Sequence, residues 1–195
     1  MKSLFDFIFS LTGIIILVPF FLLFAIMIII DSGLPVFYFQ KRVGKNETDF
    51  FLLKFRTMKK DSDKKGLLTV GEKDSRITRI GYYLRKYKID ELPQLFNVLI
   101  GDMSLVGPRP EVRKYVELYN EEQKKVLSVK PGITDYASIE FSNENELISK
   151  ANNPEEYYVK EIMPVKLKLN LKYISEQSFF TDIKIIFRTI FKIAK

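Results

Sequence analysis

Residues 5–30 read FDFIFSLTGIIILVPFFLLFAIMIII, and how this stretch sits decides what kind of fold the remaining chain must build. From Phe7 to Ile30 there is no charge, and the run is long enough to cross the roughly 30 Å hydrocarbon core of a bilayer as one helix. It is too long for a signal peptide and no A-x-A-like cleavage site precedes Asp31. Hydropathy taken alone favours a straight spanning helix. Pro19 opposes it, because proline removes a backbone hydrogen bond and crowds the preceding turn, so a kink is expected near the middle of the segment. A kinked segment can return to the side it started from, and both geometries stay open on the residues alone.

Beyond Ser32 the chain turns polar. Val36–Gln40 and Phe50–Phe55 are rich in strand-forming aromatics and flank Gly44-Lys45-Asn46, which predicts a short hairpin. Alternation would place Lys54 and Arg56 on one face of its second strand, where solvation is the ordinary fate of such residues. A polar loop is expected over 59–73. Ile77, Ile80, Leu84 and Tyr87 then give a helix starting near Asp74 or Ser75, with Arg76, Arg79, Arg85, Lys86 and Lys88 on its other face. Further helix is expected over 111–129, a turn at Pro131-Gly132, a loop over 141–150, and a helix capped by Asn153 with Pro154 in its first turn. Pro164 should kink or split the helix around it. At the C-terminus Ile183, Ile186, Phe187, Ile190, Phe191 and Ala194 share one helical face and Lys184, Arg188, Lys192 and Lys195 another. Such a helix can pack on the core or lie among lipid headgroups.

Composition narrows the chemistry. The chain has 195 residues, enough for one catalytic domain, and contains neither His nor Cys. Ser-His-Asp and Cys-His nucleophile systems and His/Cys metal sites are therefore excluded. Catalysis would fall to carboxylates, Lys, Arg, Tyr or a hard cation such as Mg2+ held by oxygen, partly through substrate phosphates. A net charge of +7 calls for an anionic partner. No nucleic-acid-binding signature or long basic run is present, so nucleic acid is not expected and the membrane accounts for the charge better.

The strongest candidate site is Asp90-Glu91-Leu92-Pro93-Gln94, with Gly107-Pro108-Arg109-Pro110 shortly after it. Two carboxylates stand where a helix containing Leu92, Leu95, Phe96 and Leu99 should begin, and the free N–H groups of a helix start attract phosphate. Asp90 as a simple N-cap is the plain alternative. Arg109 lies between two prolines, which limit its backbone freedom and suit it to presenting a guanidinium to phosphate; an ordinary surface arginine is the plain alternative.

Together with Lys54-Phe55-Arg56-Thr57-Met58 and Pro131-Gly132-Ile133-Thr134, these segments occur in an order and spacing that resembles the bacterial sugar transferases, the monotopic polyprenyl-phosphate phosphoglycosyl transferases. The resemblance runs from the apolar segment to about Thr134 and more loosely beyond. It implies an α+β, mostly helical fold: a re-entrant helix-break-helix anchor over 1–32, and a cytoplasmic catalytic domain over 33–195 with a short β-hairpin and a C-terminal amphipathic helix. It implies attachment to the cytoplasmic face of the bacterial inner membrane, in contact with its lipids. It further implies transfer of a phosphosugar from a UDP-sugar to undecaprenyl phosphate at the start of surface glycan synthesis. In that scheme Asp90 is the nucleophile, Glu91 holds Mg2+, and Arg85, Arg109, Lys54 and Arg56 contact substrate phosphates. Two departures stand out. Val18 precedes Pro19 where relatives often have Ser, and Asp135-Tyr136-Ala137-Ser138 follows Thr134 where many relatives continue with a glycine. A membrane-anchored phosphatase or pyrophosphatase, a non-catalytic tether, and a homodimer all remain open at this point.

Overall fold

The structure, a computed structural model, describes residues 2–60, 62 and 74–193. Most of the loop expected over 59–73, together with Ala194 and Lys195, lies outside the described residues.

The chain begins with α1 (Lys2–Ser32), a helix about 46 Å long at 1.5 Å per residue. It continues through Pro19 as one helical element. Its buried residues, Asp6, Ser10, Ile14, Phe21 and Ile28, form one stripe that faces the rest of the protein along the whole helix. At the start, Asp6 accepts hydrogen bonds from the Ser104 hydroxyl (2.8 Å) and the Leu105 N–H (3.0 Å). In the middle, Gly13 lets the helix come close to Leu95: a Cβ there would stand 3.3 Å from Leu95 Cδ1. At the far end, Asp31 accepts the Ile80 N–H at 3.1 Å. The opposite side of the helix, including Ile8, Phe9, Ile15, Ile16, Leu22 and Ile30, is exposed and apolar.

β1 (Phe37–Val43) and β2 (Asp49–Phe55) form the antiparallel hairpin that the aromatic runs predict, with Tyr38 opposite Lys54. Phe55 stacks on Phe37 and meets Phe21 of α1 edge-on, which joins the hairpin and α1 in one core cluster with Ile28 and Leu84. α2 (Arg79–Lys86) starts later than periodicity suggests. Asp74 is occupied with the Arg76 guanidinium, and the Thr78 hydroxyl takes the cap by accepting the Gly81 N–H.

A left-handed Lys88 and a 3-10 turn at Ile89–Glu91 lead into α3 (Gln94–Ile100). Asn97 ties α3 to the hairpin as a surrogate strand: its Oδ1 accepts the Leu53 N–H at 2.9 Å and its Nδ2 donates to Phe51 O at 2.8 Å. β3 (Ser104–Val106) pairs in parallel with β4 (Gly132–Thr134), where the sequence predicted only a turn.

The helix expected over 111–129 is α4 (Arg113–Val116) followed by a separate 3-10 stretch at Gln123–Ser128. Asn120 and Gln123 exchange backbone-to-side-chain bonds of 2.9 Å in both directions, a reciprocal cap that restarts the chain direction. α5 (Tyr136–Glu140) follows β4. The expected 141–150 loop contains α6 (Glu144–Ser149), because Phe141, Leu147 and Ile148 join the main core. α7 (Pro154–Tyr157) is capped by Asn153 as predicted. A π-helical turn at Tyr158–Ile162 then precedes α8 (Met163–Ser175), whose first turn contains Pro164. α9 (Phe179–Ile193) packs one side on the protein and leaves part of its apolar face uncovered. Asp182 and Ile185 are buried against the protein, while Phe187, Ile190 and Phe191 stay exposed.

Candidate active site

The dyad is delivered by a short turn. Asp90 and Glu91 sit in the 3-10 segment just ahead of α3, and Pro93 occupies the cap position without any side-chain capping bond. Asp90 is therefore not the N-cap of this helix. It is 6% exposed, and among the described residues no hydrogen bond engages its carboxylate. Burial first, and the neighbouring Glu91 second, push its pKa above the ordinary 3.8, while Lys54, Arg85 and Lys88 pull it back.

Glu91 is its opposite. Lys54 Nζ of β2 donates to Glu91 Oε1 at 3.2 Å, and Arg109 grips both oxygens, Nη1 to Oε2 at 3.0 Å and Nη2 to Oε1. Burial alone would raise the Glu91 pKa. Arg109 and then Lys54 outweigh it and hold the carboxylate well below its usual range. The pair of adjacent carboxylates is thus split into one group fully neutralised by cations and one more basic group left uncommitted, the arrangement that lets two like residues take different roles. Burial lowers the Lys54 pKa, opposed chiefly by Glu91. Burial likewise lowers that of Arg85, opposed first by Asp90.

Arg109 is held from behind. Gly107 donates to Thr134 O (3.0 Å) and Gly132 to Pro108 O (3.0 Å), so the Gly107–Pro110 turn lies directly on β4. A Cβ on Gly132 would come within 2.1 Å of Gly107 N, and one on Gly107 within 2.6 Å of Lys130 O; the two glycines make this approach possible. Arg42 donates to Pro110 O (3.2 Å) and to Glu111 Oε1 (2.9 Å), and Glu111 also accepts from Tyr158. None of Arg42, Glu111, Tyr158 or Asn97 announces itself in the sequence, since their partners lie tens of residues away.

The structure therefore brings together Asp90, Glu91, Lys54, Arg109 and Arg85. It places Arg56 elsewhere. That guanidinium donates to Ser32 O (2.9 Å), Ser32 Oγ (2.8 Å), Leu34 O (3.0 Å) and Gly33 O, satisfying the carbonyls at the end of α1. Strand alternation puts the two residues on a common side, but Arg56 follows the end of β2 and its guanidinium is taken up by the end of α1.

Among the described residues no cluster of three or more carboxylates could cage a metal. The dyad offers oxygen donors only and few of them, the donor chemistry of a magnesium site completed by substrate phosphates. With both Glu91 oxygens engaged by Lys54 and Arg109, a cation reaching Glu91 would share it with these side chains or displace them.

The family model described as bacterial sugar transferase matches residues 1–195. The chain is 41% identical over 199 residues to the uncharacterized sugar transferase EpsL of Bacillus subtilis, covering 99% of this chain and 87% of that protein. It is 37% identical over 175 residues to a UDP-N-acetylgalactosamine-undecaprenyl-phosphate N-acetylgalactosaminephosphotransferase of Aeromonas hydrophila, covering 88% of this chain and 38% of the relative. To the UDP-glucose:undecaprenyl-phosphate glucose-1-phosphate transferase of Escherichia coli it is 36% identical over 172 residues, covering 86% of this chain and 34% of the relative. With the family model matched along its full length, the chain belongs to the bacterial sugar transferase family.

Proposed function

We propose that this protein transfers a phosphosugar from a UDP-sugar to undecaprenyl phosphate and so starts a surface glycan. The observation that carries this reading is the buried, uncommitted Asp90 carboxylate beside a cluster of Lys54, Arg85 and Arg109. The names of the relatives supply the donor and acceptor classes.

Asp90 attacks the β-phosphorus of the donor. A P–O bond forms to its carboxylate, the diphosphate P–O bond breaks, and UMP leaves with the electron pair. An oxygen of the lipid phosphate then attacks the same phosphorus, the aspartyl P–O bond breaks, and Asp90 returns as a carboxylate. The products are undecaprenyl-diphospho-sugar and UMP. Lys54, Arg85 and Arg109 neutralise the phosphate oxygens that Asp90 approaches, which is the main obstacle to attack by one anion on another. Burial that keeps Asp90 more basic than an ordinary carboxylate strengthens it as a nucleophile. Glu91 is the residue that would hold Mg2+, whose bound charge would ease departure of UMP.

The membrane geometry belongs to the mechanism. Because α1 is held at both its start and its end by the domain that carries the site, we propose that both ends lie on the cytoplasmic face of the inner membrane. The exposed apolar sides of α1 and α9 then enter one leaflet. The site is thereby confined to the plane of the lipid phosphate, which raises the effective concentration of the acceptor. A reporter fused ahead of Met1 is expected to read cytoplasmic; a periplasmic reading would replace this geometry with a spanning helix.

The reaction is tested by incubating the nanodisc-embedded protein with a panel of UDP-sugars, Mg2+ and undecaprenyl phosphate and following UMP. UMP release from one donor that requires the lipid is expected. Release indifferent to lipid would point to a hydrolase, and no release with any donor would return the non-catalytic tether.

A further inference from the structure

The Arg109 backbone has one side-chain anchor that no motif marks. Asp135, at the junction of β4 and α5, is completely buried, and its two carboxylate oxygens are divided between two tasks. Oδ1 accepts the Ser138 N–H at 2.6 Å and caps α5, while Oδ2 accepts the Arg109 N–H at 3.1 Å. The β3–β4 pairing delivers Asp135 to this spot, since Thr134 O accepts from Gly107 two residues before Arg109. From this geometry we infer that Asp135 is a positioning residue for Arg109: it fixes the turn from which the guanidinium reaches Glu91 and, on the reading proposed above, the diphosphate of the donor.

A carboxylate is the side chain that this junction needs. Two N–H donors converge on it from different elements, and a buried N–H left without an acceptor is costly. Asn divides the two tasks cleanly. Its single oxygen caps α5 about as well as Asp does, but its NH2 group would face the Arg109 N–H, donor against donor. The variant therefore folds with its cap in place while the Arg109 turn is pushed off its seat.

Electrostatics and positioning predict opposite signs. Asp135 carries a negative charge near Arg109, so removing that charge should by itself strengthen the hold of Arg109 on an anion. If Asp135 acts by positioning, Asp135→Asn weakens anion binding despite the gain in positive potential.

The test is calorimetric titration of UDP in the presence of Mg2+ into nanodisc-embedded wild type, Asp135→Asn, Asp135→Ser, Arg109→Gln and the Asp135→Asn/Arg109→Gln double variant. Ser retains a capping oxygen but is too short to reach across to Arg109, so it checks the result without placing an NH2 in the site. We expect both Asp135 variants to melt within a few degrees of wild type and to bind UDP about 10-fold more weakly. The double variant should bind no more weakly than Arg109→Gln alone, because a positioning residue has nothing left to position. Wild-type affinity or better in Asp135→Asn and Asp135→Ser, or a loss that adds in full to that of Arg109→Gln, would overturn the inference. Failure of wild type itself to bind UDP would instead overturn the proposed function, and this inference with it.

Discussion

Asp90→Asn is expected to fold normally and to lose transfer by on the order of 10⁴-fold, because an amide cannot form the covalent bond to phosphorus on which turnover depends. The substitution is close to isosteric. Among the described residues no hydrogen bond engages the Asp90 carboxylate, so no network is broken by the exchange. Stability should hold or rise. Burial raises the folded-state pKa of Asp90 above its unfolded value, so the folded protein binds this proton more tightly than the unfolded chain does. Its contribution is favourable at low pH and is lost as pH rises through the folded value, leaving an ionised group that costs stability at neutral pH. Asn removes that cost. The same shift gives wild-type turnover an acid limb, the rate falling as pH drops through a pKa above 3.8. Intact mass of the protein mixed with donor and Mg2+ in the absence of lipid should show a phosphosugar adduct in wild type and none in Asp90→Asn. Near-normal transfer by the variant would remove Asp90 as the nucleophile.

What could be read in the sequence divides by the range of the interactions involved. The β1–β2 hairpin and the Asn153 cap were legible because their causes are local: alternating aromatics around a Gly-Lys-Asn turn, and an Asn followed by Pro and two acids. The carboxylate doublet could be picked out as a candidate because its residue types and its neighbouring helix lie in one segment. What failed depended on distant partners. Three residues of β3 and three of β4 hold each other across the Arg109 turn, and neither run is long enough to show a period. Arg56 matches Lys54 by alternation, yet the carbonyls that end α1 bond its guanidinium from more than twenty residues away. The 111–129 segment has helical composition throughout, but the reciprocal Asn120–Gln123 cap divides it.

The second large effect is expected at Glu91, and it separates from the first by touching stability as well as turnover. Glu91→Gln removes the one negative charge shared by Lys54 and Arg109, leaving two half-buried cations with a neutral amide between them. Breaking a half-buried pair from one side costs about 2 kcal/mol, less than for a fully buried pair because solvent still reaches the cations, since the surviving charge keeps part of its desolvation penalty and loses its partner. Lys54 has the cheaper escape: burial already lowers its pKa and Glu91 is the main group holding it up, so in the variant it should shed its proton more readily. Thermal unfolding should therefore show a clear drop at neutral pH, and turnover should fall together with its dependence on Mg2+. The pH profile carries the sign. The folded pKa of Glu91 lies well below the ordinary 4.5, so its stabilisation is present above 4.5 and is lost as pH falls through the folded value. The stability gap between wild type and Glu91→Gln should be widest near neutrality and close under acid. Adding Arg109→Gln to Glu91→Gln should return part of the lost stability, because it withdraws one of the two stranded charges. A gap that stays constant from neutral to acid pH would mean that the variant suffers from lost packing and not from unpaired cations, and Mg2+ dependence equal to wild type would take Glu91 out of the metal site.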